Sequence, residues 1–131
     1  MANNSILIGK LIYDALSQAE NITALVGSGI YPLVAENETS FPFIVYARTN
    51  VYSDGQTKDG SFGDKVGFQI TVASDKYFES AELANEVRDL FENCILYNDS
   101  LTIKDIKMTS ITEAYNDSTY IQTLNFECFA E

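Results

Sequence analysis

Between Lys65 and Cys94 the hydrophobic period of the chain changes once, from two residues to about three and a half. Val66, Phe68, Ile70 and Val72 alternate with Lys65, Gly67, Gln69 and Thr71, which predicts a strand with one apolar face and one wet face. Ser74-Asp75 then offers a cap, and Leu83, Ala84, Val87, Leu90, Phe91 and Cys94 form a single stripe. Glu79, Glu82, Glu86, Arg88 and Glu92 lie outside that stripe, as on an amphipathic helix. A half-wet strand feeding such a helix is the unit of an α+β fold, in which helices cover one face of an antiparallel sheet.

The flanking sequence extends the pattern. Ile8, Leu11, Ile12, Ala15, Leu16 and Ala19 share one helical face; Asn4 or Ser5 is positioned to cap this helix and Asn21 to end it. A short second helical turn over 21–26 is stopped by Gly27 and Gly29, and Ile30-Tyr31-Pro32 leaves it extended, because a residue before proline avoids the α region. Residues 35–40 are a polar loop. Phe41 to Arg48 reads as a strand with Pro42 at its start. Residues 53–64 carry two Asp-Gly turn signals and read as a long, mobile hairpin connection. Leu101 to Thr112 is extended, but its alternation slips between Ile103 and Ile106, which predicts a bulge. Asn116-Asp117-Ser118 turns the chain, and Tyr120 to Cys128 alternates as a closing strand. The expected fold is a mostly antiparallel sheet of about four strands with two main helices packed on one face. Neither a repeat nor a linker divides residues 1–131, so one domain is expected.

Composition narrows the function. The chain has 131 residues, 46% hydrophobic and 21% charged, which is the globular range. It contains no histidine, so Ser-His-Asp, Cys-His and His-metal sites are excluded together. Nineteen acids remain, mostly in loops and on the outward helix face, and nothing marks a paired-carboxylate cleft. No catalytic residue, cofactor or metal site is expected. Cys94 and Cys128 fall at apolar-periodic positions and read as two reduced core thiols. No apolar run reaches the roughly 18 residues of a membrane helix. The first residues have no basic n-region, so synthesis in the cytoplasm is expected, and the Asn-x-Ser/Thr triplets at Asn3, Asn21, Asn37, Asn98 and Asn116 read as turns rather than glycan acceptors. Gly55, Gly60 and Gly63 lack phosphate-loop spacing and precede a strand rather than a helix. Asp54, Asp59 and Asp64 recur every fifth residue, which does not match a calcium loop.

The net charge is −11. Neutralising phosphates needs lysine and arginine, of which there are eight, so specific DNA binding and anionic membranes are disfavoured. Eight tyrosines are present, a residue type enriched at protein interfaces. The chemistry available is docking, and the 53–64 connection, with Tyr52 just before it, supplies the candidate contact residues Tyr52, Asp54, Lys58, Asp59, Phe62 and Asp64.

Four stretches, in order, carry a resemblance. These are Ile22 to Pro32 after the first helix, Phe41-Pro42-Phe43-Ile44-Val45-Tyr46, the strand–helix unit Val66–Ala73 with Glu79–Arg88, and the closing strand Tyr120–Phe129. Together they span about residues 5–129. The chain resembles the phage tail-completion family that includes tail-to-head joining (tail terminator-like) proteins of long-tailed phages. The 53–64 connection has no counterpart in that pattern. The resemblance implies a structural virion assembly protein with no catalytic residues. It also implies a ring, commonly a hexamer, at the head-proximal end of the tail, contacting tail tube and head connector while DNA passes through unbound. The alternative is an acidic DNA mimic that inhibits a DNA-binding host protein, although these acids are interspersed with lysines rather than aligned in rows.

Overall fold

The computed structural model describes residues 4–35, 40–53 and 63–131. A 3₁₀ turn, Ser5–Leu7, leads into helix α1 (Ile8–Gln18) and helix α2 (Glu20–Val26). Strands β1 (Ile30–Pro32), β2 (Phe43–Ser53) and β3 (Asp64–Ser74) follow, then helix α3 (Tyr77–Phe91) and strands β4 (Leu96–Tyr97), β5 (Thr102–Asn116) and β6 (Thr119–Ala130). All six strands form one sheet in the order β1-β2-β3-β6-β5-β4.

The α+β class stands, but the sheet differs from the expected antiparallel set of about four strands. It has six strands, and it is mixed because β1 runs parallel to β2, with Ile30 opposite Ile44. The additional strands are three and two residues long, too short to show a period. Tertiary contacts define them: the Ile44 amide donates to Gly29 O at 2.8 Å, and Leu96 pairs with Ile103.

The remaining ladders are antiparallel. β3 pairs with β2 on one side and with β6 on the other, the latter in unbroken register from Asp64↔Ala130 to Ser74↔Tyr120. The slip expected between Ile103 and Ile106 is real: register shifts between Lys104 and Lys107, where Asp105 takes a φ of 55°. Second irregularities lie between Met108 and Ser110 and, in β2, between Arg48 and Asn50. At the β5–β6 turn, Asp117 and Ser118 have φ of 50° and 60°. This is the type I′ geometry whose twist suits a two-residue hairpin.

Three local details depart from the sequence reading. Helix α1 stops at Gln18, where Ala19 turns extended, so Asn21 lies inside α2 rather than ending α1. Asn4 makes no capping bond, and the Ser5 hydroxyl instead donates to Asp64 Oδ2. Lys76, not Ser74 or Asp75, occupies the N-cap of α3. Ser74 Oγ accepts the Lys76 amide at 3.0 Å and donates to Glu79 Oε1 at 2.7 Å, bracing the helix start from two residues earlier.

The core lies between the helices and one sheet face. Ile8, Ile12 and Leu16 of α1, Leu83, Val87 and Phe91 of α3, and Phe68, Ile70, Leu124 and Phe126 of the sheet are essentially fully buried. At its centre Phe68 stacks on Phe126 with centroids 5.0 Å apart, while Phe91 reaches down from α3 to both, at 5.4 and 5.6 Å. Cys128 is buried in this layer, Cys94 is half-buried, and both thiols are free. Burial, with a smaller contribution from the Glu127 charge, pushes the Cys128 thiol up to about 12.

Candidate assembly interface

The strict alternation of β3 and β6 puts every second side chain on the side away from the helices. Gln69, Thr71, Thr123 and Asn125 are partly exposed there. Gln69 Nε2 donates to Asn125 Oδ1 at 3.1 Å, and Asn125 Nδ2 donates to Ser110 Oγ of β5 at 3.1 Å. A polar hydrogen-bonded row therefore crosses three strands on a face that no described helix covers. A sheet can leave one face wet in this way because its alternation keeps apolar side chains on the other.

Two of the six predicted contact residues lie within the described part. Tyr52 and Asp64 stand at the strand ends that flank the 54–63 connection, where Ser53 pairs with Asp64 and Tyr52 with Lys65. These adjacent rungs face opposite ways. The Tyr52 hydroxyl donates to Glu127 Oε2 at 3.3 Å, beside an ion pair of Lys65 with Glu127 at 3.9 Å on the polar face. Asp64 accepts the Ser5 hydroxyl on the helix side. Asp54, Lys58, Asp59 and Phe62, with Gly55 and Gly60, lie outside the described residues, as do residues 36–39 of the polar loop.

The two ends of the sheet are unlike. β1 is a three-residue edge: Pro32 has no amide hydrogen, and the Ile30 amide is held by Ser28 O at 2.9 Å. Such an edge resists strand addition, but it covers only residues 44–46, and residues 47–53 of β2 are laddered, among the described residues, on their β3 side alone. At the other end β4 pairs only with Thr102 and Ile103. The rest of β5, through Asn116, is laddered on its β6 side alone.

Sequence reasoning missed a cluster on this open arm. The Tyr77 hydroxyl donates to Glu113 Oε2 at 2.9 Å, and Gln122 Nε2 donates to the same oxygen at 3.1 Å. Tyr77 and Tyr115 both pack against the Tyr120 ring, at 5.7 and 4.8 Å. The hydrogen bond to Glu113 raises the Tyr77 pKa above its ordinary 10.0. The sequence signal was faint: Tyr115 and Tyr120 flank the Asn116-Asp117-Ser118 turn at hairpin-paired positions, while Tyr77 arrives from α3. A recess of about 460 Å³ lies between α2 and α3 and is lined in part by Glu20, Glu86 and Asp89. No cluster of three His, Cys, Asp or Glu side chains able to hold a metal occurs among the described residues. No helix among them is long and apolar enough to cross a membrane.

Comparison with known proteins places this architecture. One chain of the virion of a native gene transfer agent particle superposes with a TM-score of 0.81 at 17% identity, covering 93% of this chain and 92% of that one. Another solved chain superposes with a TM-score of 0.70 at 12% identity, covering 98% of this chain and 96% of that one. No curated protein matches the sequence. The sequence pattern of the tail completion protein gp17 family matches residues 10–127. The chain belongs to that family, and its role is that of a structural, virion-associated tail part in head–tail assembly.

Proposed function

We propose that the chain closes into a ring, a hexamer, at the head-proximal end of the tail, between the tail tube and the head connector. The observation that carries this reading is the asymmetry of the sheet. Its helices lie on one face, a polar hydrogen-bonded row crosses the other, which no described helix covers, and its two end strands differ, β1 running parallel to its neighbour and β4 antiparallel. A ring needs two dissimilar surfaces on each subunit whose rotation closes. The net charge of −11 suits a lumen through which DNA passes without sticking, since acids repel phosphates within about 8 Å at physiological salt. Synthesis in the bacterial host cytoplasm, as one domain, belongs to the same reading.

Tyr52 and Asp64 are the proposed entry to a contact arm that also uses Asp54, Lys58, Asp59 and Phe62. Because Ser53 and Asp64 are paired, residues 54–63 can be replaced by Asn-Gly, which closes that rung with a type I′ turn. The shortened chain is expected to fold and to leave tails unjoined. Electron microscopy of particles with a labelled subunit is expected to show label in a ring where tail meets head. Joined tails carrying the shortened chain, or label elsewhere on the particle, would overturn the assignment.

A further inference from the structure

We propose that the open arm of β5, residues 109–116, is a docking edge for an extended, cation-bearing segment of another protein. That segment adds as a strand and seats one lysine or arginine against Glu113. The inference concerns the isolated chain and does not require the ring.

Three observations converge on this arm. The first is the backbone. From Thr109 to Asn116 β5 is exposed and is laddered on one side only, while β4 covers no more than Thr102 and Ile103. An exposed edge of this length presents a row of outward-facing amide and carbonyl groups, which is what strand addition uses.

The second is charge. Glu113 is held by two neutral donors, Tyr77 and Gln122, and takes part in no ion pair among the described residues. Tyr77, Tyr115 and Tyr120 wall a recess of about 270 Å³ around it. That is space for roughly nine waters at about 30 Å³ each, or for one long side chain. A carboxylate beside aromatic rings favours an ammonium or guanidinium, through the charge-assisted hydrogen bond and the ring faces together.

The third is alternation. Ile111, Glu113 and Tyr115 are opposite Leu124, Gln122 and Tyr120 of β6, so all three project to the same side. Ile111 and Tyr115 are 44% and 62% exposed. An added strand therefore meets apolar, acidic and aromatic positions in turn at every second residue. It fits best with apolar, basic and apolar residues at that spacing.

A second copy of this chain fits poorly. Pairing β5 with β5 so that Ile111 packs on Tyr115 sets Glu113 directly opposite Glu113, a destabilising like-charge pair. Lys10, Lys65, Arg88 and Lys104 are engaged in ion pairs within the chain; of the other described cations, Lys76 sits at the N-cap of α3 rather than on a strand and Lys107 lies on β5 itself. At the β1 end the open stretch of β2, residues 47–53, is broken by the irregularity between Arg48 and Asn50, and its one cation, Arg48, donates to Ile6 O at 2.7 Å.

The test uses the purified chain and two capped eight-residue peptides. Both carry threonine on one face; the other face reads valine, lysine, valine, valine in one peptide, with glutamate for lysine in the other. In amide-resolved NMR titrations the lysine peptide is expected to shift Thr109–Asn116, Tyr77 and Tyr120, and the glutamate peptide to bind at least about tenfold more weakly. Glu113→Gln keeps an acceptor for Tyr77 and Gln122, so its spectrum should retain the native fold while lysine-peptide binding falls about tenfold. Equal binding of both peptides, no binding of the lysine peptide, or shifts confined to another surface would overturn the proposal.

Discussion

Replacing Phe91 with alanine tests whether α3 is joined to the sheet by the aromatic triad. Phe91 is fully buried, and its ring lies 5.4 Å from Phe68 and 5.6 Å from Phe126. Truncating a buried phenylalanine costs about 3–5 kcal/mol through lost transfer energy and the cavity left behind. Two aromatic contacts are lost with it, each worth about 0.5–1.5 kcal/mol beyond area, which favours the upper half of that range. At about 2.1 cal/mol/K of unfolding entropy per residue, a chain of 131 residues loses about 14 °C of melting temperature for about 4 kcal/mol. Phe91→Leu keeps most of the apolar volume and should cost only about 1–1.5 kcal/mol. Urea unfolding followed by far-ultraviolet circular dichroism measures both. Similar m-values are expected, because the unfolded surface hardly changes. A Phe91→Ala loss below about 1.5 kcal/mol at unchanged m, or equal losses for alanine and leucine, would refute the view that this contact joins the layers.

Cys94 should react with a thiol reagent in the native protein and Cys128 only after unfolding, since Cys128 is buried and its thiol is pushed up to about 12. The folded chain holds that thiol neutral. Its contribution is intact below the ordinary pKa of 9.0 and is lost as pH rises toward 12, by up to about 1.4 kcal/mol per pH unit; Cys128→Ala should flatten this part of the stability profile. Ser118→Gly should raise stability by about 0.5–1 kcal/mol, because Ser118 holds a positive φ of 60° that glycine adopts freely. Thermal melts showing no gain would count against the turn geometry.

Where hydrophobic period alone decides, the sequence was legible. The β3–α3 unit, the apolar face of α1, the closing β6 strand and the slip after Ile103 all appear where alternation predicts them. Periodicity fails for elements shorter than one period. Ile30-Tyr31-Pro32 looked extended but not paired, and its parallel partner β2 is supplied only when the Gly29 carbonyl meets Ile44. Capping was misplaced for a related reason. Ser74 has the chemistry of an N-cap, yet its hydroxyl bridges the Lys76 amide and the Glu79 carboxylate from two residues earlier. The contact surface was legible only as an inventory. Tyrosines and unpaired acids were countable, but the meeting of Tyr77 with Glu113 and Tyr120 depends on α3 starting beside the β5–β6 arm, which no local pattern encodes.

The two ends of the sheet share one trait: the long strand outruns its short partner. β4 covers only Thr102 and Ile103 of β5, and β1 covers only residues 44–46 of β2. Among the described residues each molecule therefore carries two bare backbone stretches, on β5 and over residues 47–53 of β2, and the irregularity between Arg48 and Asn50 is what keeps the second from offering an even ladder to a neighbour.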